Sequence, residues 1–306
     1  MSAPPFISFD EGDTLLDWMG LTDALAAGHL LPKAEIADTF LYREPDTLLN
    51  RAAWIDGLGL AVKSATVFPK NPDKEVSSVN GGVTLYSDGT GELEAVVDFH
   101  LVTKWKTAGD SLLAARRLAR PDCSDILIVG AGTQARGLHA AYSALFPQAR
   151  FTVWNRTACN AEKLAAECGG MTIATDLEAA VHAADIVICA TMSTKPILQG
   201  DWLKPGQHID LIGAYRPDMR EADDTALARS SVFVDSLETT VDHIGELKIP
   251  IEAGTFSASD IVAHYYDTDA FRRQSDAEIT LFKNGGGAHL DLMTTRYVLD
   301  RWKSQS

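Results

Sequence analysis

The chain of 306 residues has no uninterrupted apolar run of about 18 or more residues, so no segment reads as a membrane-spanning helix. Its amino terminus, Met1-Ser-Ala-Pro-Pro, lacks the basic region and apolar core of a secretory signal, and a cytoplasmic location is expected. Cysteine is scarce. Cys123, Cys159, Cys168 and Cys189 show no metal-ligand spacing, which points to reduced thiols and to no metal centre. Positive charge is also short, with 27 Lys and Arg against 42 Asp and Glu, a formal net charge of -15. No basic stripe offsets that balance, which argues against a nucleic-acid partner. An anionic ligand entering such a protein needs a dedicated cationic pocket, because the overall field repels it. Internal repeats and low-complexity linkers are missing too. What is present is 46% hydrophobic residues, enough in a chain of this length for two packed cores.

The most informative stretch is Ile126-Leu-Ile-Val-Gly130-Ala-Gly132-Thr133-Gln134-Ala135, followed by Phe151-Thr-Val-Trp154-Asn155-Arg156-Thr157. The first part reads as a buried strand, a glycine turn and a helix start, where backbone N–H groups can face a pyrophosphate. At the tip of the second strand an acidic residue would hold ribose hydroxyls; Asn155, Arg156 and Thr157 stand there instead. A guanidinium and a hydroxyl suit a 2′-phosphate, so the expected coenzyme is NADPH, with NADH the weaker alternative. From about 122 to 236 a strand-then-helix rhythm continues, with strands expected at 126–130, 151–154, 186–190, 209–213 and 231–235. Helices are expected at 134–146, 158–168, 177–183 and 221–228. That alternation implies a parallel sheet covered on both faces. Thr191, just past a strand end, lies where a coenzyme crosses such a sheet.

The first 115 or so residues have a different texture. Gly57 to Lys63, Val79 to Tyr86 and Leu93 to Asp98 read as short strands of an antiparallel sheet, with a hairpin signal at Ser87-Asp88-Gly89. Residues 103–118 read as a helix. At the carboxyl end, Gly285-Gly-Gly287 opens a helix to about Trp302, expected to return to the first domain. The expected domains are therefore 1–115 plus 284–306, for substrate and dimerisation, and an inserted Rossmann domain at 116–283.

Four cations of the first domain stand out: Arg43, Arg51, Lys63 and Lys106. Lys63 ends an apolar run, and burying an unpaired ammonium is costly, so it must meet an anion from the protein or from a ligand. Lys106 sits early in a helix, where its charge opposes the helix dipole unless something negative is near. Surface ion pairs are the plainer reading for all four.

These pieces together resemble the ornithine cyclodeaminase/mu-crystallin family over nearly the whole length. The matching segments are Gly59 to Lys63, Phe68-Pro-Lys-Asn71, Gly89-Thr-Gly91 with Asp98, Thr103 to Ser111, Val129 to Ala135, and Trp154 to Thr157. Ile212 to Glu221, Val234-Asp-Ser236, Gly245-Glu246, and Ile279 to Asp291 follow in the family's order. The resemblance implies a Rossmann domain set into a substrate and dimerisation domain, a homodimer, and redox chemistry at an amino or imino acid carbon. It also implies that an early arginine (Arg43 or Arg51), Lys63 and the helix cation Lys106 hold a substrate carboxylate. Lysine at 106 replaces the family's usual arginine, which loses bidentate holding there but keeps the charge. Tyr215 stands where cyclodeaminases carry an aspartate, with ordinary aromatic packing as its plainer reading.

The expected activity is therefore NADPH-dependent reduction of a cyclic ketimine carboxylate, Δ1-pyrroline-2-carboxylate to L-proline. The six-membered Δ1-piperideine-2-carboxylate, giving L-pipecolate, is a second candidate. The alternatives are an NAD-dependent ornithine cyclodeaminase and a non-catalytic, crystallin-like NADPH-binding protein. Lys63 is expected to serve as proton donor, Asn80 to bond near the imine or nicotinamide, and His289 to approach the coenzyme.

Overall fold

In the computed structural model, residues 3–305 are described. The amino-terminal elements are β1 (Phe6–Ile7), α1 (Phe9–Asp13), α2 (Trp18–Gly28), β2 (Glu35–Arg43), β3 (Asp46–Ile55), β4 (Gly59–Val67), β5 (Val79–Tyr86), β6 (Leu93–Asp98) and α3 (Phe99–Leu118). The middle holds β7 (Asp125–Val129), α4 (Thr133–Leu145), β8 (Arg150–Trp154), α5 (Ala158–Cys168), β9 (Thr172–Ile173), α6 (Leu177–Ala183), β10 (Ile186–Cys189) and β11 (His208–Leu211). The chain ends with α7 (Asp224–Arg229), β12 (Ser231–Val234), α8 (Leu237–Thr240), α9 (Gly245–Glu252), β13 (Ile261–His264), β14 (Thr280–Lys283) and α10 (Ala288–Lys303). It divides into two compact units, one from residues 1–106 with 287–306 and one from 107–286. The first break falls inside α3, after Lys106 and short of the expected 115; the second follows Gly286 and not 283.

The first unit is a six-stranded sheet in the order β1-β6-β5-β4-β3-β2, antiparallel except for the β1–β6 pair. Strand side chains alternate between faces. One face of β3 to β6 carries Ala53, Ile55, Ala61, Val83, Leu85 and Val97, all buried, and α10 packs against these strands. The opposite face is open, with an apolar groove lined by Ala37, Ala52, Trp54, Leu60, Val62 and Tyr86. The turn at Ser87–Gly91 links β5 to β6 as expected, closed by Ser87 N–H to Glu92 O at 2.9 Å. Strands β2 and β3, which the sequence reading left unassigned, form the far edge.

The second unit is an eight-stranded, wholly parallel sheet in the order β13-β12-β14-β11-β10-β7-β8-β9. Buried on both faces, its central strands are unbroken apolar runs, as Ile186-Val-Ile-Cys189 shows. The architecture is thus α/β: a Rossmann-type doubly wound sheet inserted into an α+β unit. The helix expected at 221–228 begins instead at Asp224. Asp223 caps it through the Ala226 N–H, and the amides of Glu221 and Ala222 are taken by the carboxylate of Glu246. All four cysteines are free thiols. No helix among the described residues is long and apolar enough to cross a membrane.

Candidate functional site

In the first unit, antiparallel register sets Arg51 directly opposite Lys63, and Asp38 opposite Arg51. The three side chains therefore share one sheet face, the one that meets α10. Two cations facing each other across strands oppose folding unless anions answer them. Here they do. Arg51 Nε donates to both oxygens of Asp38 at 3.1 and 3.2 Å. The buried Lys63 Nζ donates to Asp291 Oδ1 at 2.9 Å and to Thr103 Oγ1 at 2.8 Å, and lies 4.7 Å from the centre of the Phe99 ring. Thr103 and Lys106, one turn apart on α3, project the same way. Lys106 Nζ, also buried, is 3.9 Å from the same Asp291 oxygen. Asp291 stands in the first turn of α10, where a negative charge suits the helix dipole.

The electrostatics follow from burial. Desolvation lowers the Lys63 pKa to about 8; Asp291 opposes the fall, while Lys106 and Arg51 add to it. Burial alone would raise the Asp291 carboxyl, yet Lys106, Lys63 and Arg51 together hold it below its ordinary value. His289 is fully buried, and desolvation, helped by Lys106, pushes its pKa down to about 3, so it is neutral. The two buried ammonium groups, Lys63 and Lys106, thus share the Asp291 carboxylate, with the Arg51–Asp38 pair beside them.

Two expected members of this group are elsewhere. Arg43 lies 79% exposed, paired with Asp46 at 2.7 Å, an odd number of residues from Asp38 along β2 and so on the other face. Asn80 is opposite Thr66, again on the other face from Lys63, and its Nδ2 donates to Ser77 O at 2.7 Å. Of the two early arginines, Arg51 is the one beside Lys63. His289 lies in the first unit, its ring 5.4 Å from that of His29.

In the second unit the glycine turn has the form a dinucleotide requires. Gly130 has φ +108°, and a Cβ there would lie 2.6 Å from Ala190 O. Gly132 is the N-cap of α4 with no side-chain cap, and the space beside its Cα is open. The α4 N–H groups therefore face a cleared volume that fits a pyrophosphate. Asn155 steadies the turn: its Oδ1 accepts from Ala131 N at 3.1 Å, and its Nδ2 donates to Thr157 O at 2.8 Å. Arg156 and Thr157 are exposed beside it, as is Thr133, with Gln134 half-buried. Ala135 is fully buried; it seats the helix on the sheet and offers a ligand no surface.

Beneath the carboxyl ends of β10 and β11 lies a buried carboxylate that sequence reasoning missed. Glu221 accepts from Thr191 N and Oγ1 at 2.7 and 2.8 Å and from Gly213 N at 2.6 Å, tying the two strand ends together. Burial, then Glu246, pushes its pKa up to about 8, against Lys283 and the Thr191 donors. Thr191 is thus an anchor of this clamp. Asp291, Thr103 and Asp38 were missed as well. The available signal was the same one that flagged Lys63: a charge inside an apolar segment, as in Leu290-Asp291-Leu292-Met293. Tyr215 is 59% exposed and not core packing; the Arg216 guanidinium lies 5.6 Å from its ring and pairs with Asp218.

A doubly wound sheet with an open glycine turn, inserted in a first unit that holds a cation group with two buried lysines, defines a two-unit protein of the Rossmann class. The chain belongs to the ornithine cyclodeaminase/mu-crystallin family, whose model matches residues 55–306. It is 47% identical over 305 residues to a Delta(1)-pyrroline-2-carboxylate reductase of Paracoccus denitrificans, covering 97% of this chain and 96% of the relative. Among solved structures it resembles the Thermococcus litoralis Delta(1)-pyrroline-2-carboxylate reductase in complex with NADH and L-proline. That match has TM-score 0.89 and 26% identity, with 98% of each chain covered. It also resembles an archaeal alanine dehydrogenase dimer with bound NAD, with TM-score 0.89 and 27% identity over 99% of this chain and 97% of that one.

The turn geometry carries a direct test. Gly130→Ala is expected to weaken nicotinamide coenzyme binding by on the order of tenfold or more, because the left-handed backbone and the Ala190 contact both resist a Cβ. Calorimetric titration of the folded variant reads it, and unchanged affinity would contradict the assignment of this turn.

Proposed function

We propose that this protein reduces Δ1-pyrroline-2-carboxylate to L-proline with NADPH, and takes the six-membered Δ1-piperideine-2-carboxylate as a second substrate. The observation that carries this reading is the group of Arg51, Lys63 and Lys106, in which the two buried ammonium groups share the single carboxylate of Asp291. It stands in a chain nearly half identical, end to end, to a relative named for that reaction. A substrate carboxylate would add a second anion to these two ammonium groups. Lys63 uses two of an ammonium's three N–H donors on Thr103 and Asp291 and keeps one for the substrate. With a pKa near 8 it is protonated at neutral pH and able to release that proton to the imine nitrogen. It then recovers a proton from solvent. The nicotinamide coenzyme, when bound, supplies the hydride.

The second unit's part is to hold that coenzyme. The α4 amides take the pyrophosphate, and Arg156 with Thr157 takes the 2′-phosphate, favouring NADPH over NADH. Ornithine cyclodeamination fits less well, because Tyr215 offers no carboxylate base for the amino group. The open apolar face of the first sheet, around Trp54, Leu60 and Val62, is where we place the contact with a second copy of the chain.

Four outcomes test the reading. NADPH should be consumed when the five-membered ketimine is added, with L-proline as product and no ammonia from ornithine. Lys63→Met should lower kcat/KM by about a hundredfold or more, within the range general acid catalysis contributes; coenzyme binding without turnover in the parent protein would defeat the proposal. Arg156→Ala should raise KM for NADPH by roughly tenfold while leaving that for NADH near its parent value, in keeping with the loss of one charge-assisted phosphate contact. In sedimentation velocity the parent chain should run as a dimer and Val62→Lys as a monomer; a monomeric parent would remove the assigned contact face.

A further inference from the structure

We propose that Asp291 is the positioning residue of the proton donor: its carboxylate pins the Lys63 ammonium in place and keeps it charged against two neighbouring cations. This rests on the reading of Lys63 as donor to the imine nitrogen, and goes past it by naming what makes a buried lysine fit for that task.

The geometry is specific. Asp291 Oδ1 accepts from Lys63 Nζ at 2.9 Å and also faces Lys106 Nζ at 3.9 Å. Its other oxygen, Oδ2, is sealed from solvent and accepts no hydrogen bond among the described residues. The carboxylate's charge is therefore spent on the two ammonium groups and not dispersed over amide donors. The side chain cannot wander, since Asp291 is 2% exposed and sits in the first turn of α10. Its backbone carbonyl accepts from Thr295 Oγ1 at 2.6 Å.

Every charge packed around Lys63 has a definite sign. From β3 comes Arg51, already met by Asp38 of β2, and from α3 comes Lys106. From α10 come Asp291 and the neutral His289. Thr103 and the Phe99 ring are the uncharged neighbours. Asp291 is thus the one anion in direct contact with Lys63, and desolvation, Lys106 and Arg51 all work against the charged form. Removing Asp291 would leave an ammonium that loses its proton at lower pH. Removing Lys106 would do the reverse.

The opposite signs make the test. The donor form of Lys63 is lost as pH rises through its pKa, so kcat/KM for Δ1-pyrroline-2-carboxylate should fall on the alkaline side near pH 8 in the parent enzyme. In Asp291→Asn that limb should move to lower pH by about one unit or more, and in Lys106→Met it should move to higher pH. Asp291→Glu, which keeps the charge but shifts its carboxyl by one methylene, should lower kcat and leave the limb in place; it also serves if Asp291→Asn does not fold. Nuclear magnetic resonance of the full-length chain labelled at the lysine ε-carbons follows the Lys63 titration directly, with no turnover required. Titration shifts of opposite sign in Asp291→Asn and Lys106→Met support the role. An unmoved Lys63 titration in Asp291→Asn, or shifts of the same sign in both variants, overturns it. Absence of ketimine turnover by the parent would instead defeat the proposed function, and the resonance titration would still decide the part played by Asp291.

Discussion

Two like charges set face to face across adjacent strands are the constraint around which the first unit is built. Arg51 and Lys63 are exact register partners, and cross-strand repulsion of that kind is normally selected against. It persists because each cation has its own carboxylate, Asp38 on the neighbouring strand and Asp291 on the carboxyl-terminal helix. The chain thus brings its last helix back onto its early sheet at the point where an ammonium would otherwise be buried alone, at a cost of several kcal/mol. Lys106 then adds a third positive charge, which shares Asp291 with Lys63. A protein whose net charge is -15 keeps a local group of cations only where the packing is arranged to hold it.

The second unit solves a different problem by the same means. Its parallel sheet leaves strand ends whose loops have to be held open and in place. Gly130 and Gly132 clear the space in front of α4, and Asn155 locks the turn from the next strand. Glu221 joins the ends of β10 and β11 from below, its own amide held by Glu246. Gly213 allows that approach, because a Cβ there would lie 1.9 Å from Thr191 O. Buried carboxylates that bond backbone N–H groups act as rigid fasteners, since leaving either partner unmatched costs more than the bond itself contributes.

Much of this was legible in the sequence, for identifiable reasons. Parallel strands covered on both faces are rich in apolar residues, continuous in β10 and interrupted in β8 and β11, and β7, β8, β10, β11 and β12 stood out within a residue or two. Strand β14 did not, because Thr280-Leu-Phe-Lys283 ends in a lysine that the fold buries against the carbonyls of Leu211 and Asn284. The edge strand β2 and its neighbour β3 were missed; β2, exposed along most of its length, lacks the alternation that marks a half-buried strand. Lys63 was found by asking what an ammonium does in an apolar run, and the same question put to Asp291 or Glu221 would have found them. Arg43 was offered with Arg51 by the family resemblance as the early arginine, and Asn80 as a hydrogen-bond partner near the imine or nicotinamide. Register parity, which the sequence does not state, puts them on the opposite face. His289 was drawn to the coenzyme by its glycine-rich neighbourhood; within the first unit it is fully buried beside His29 at the start of α10.

The central claim is that the group of positive charges around Lys63 exists to hold a carboxylate. The most direct measurement is a crystal structure of the protein with NADP+ and L-proline. The account predicts the proline carboxylate within hydrogen-bonding distance of Lys63 and at least one of Arg51 and Lys106, with Asp291 still bonded to Lys63. A carboxylate bound elsewhere, with those three side chains still paired only to Asp38 and Asp291, would contradict it.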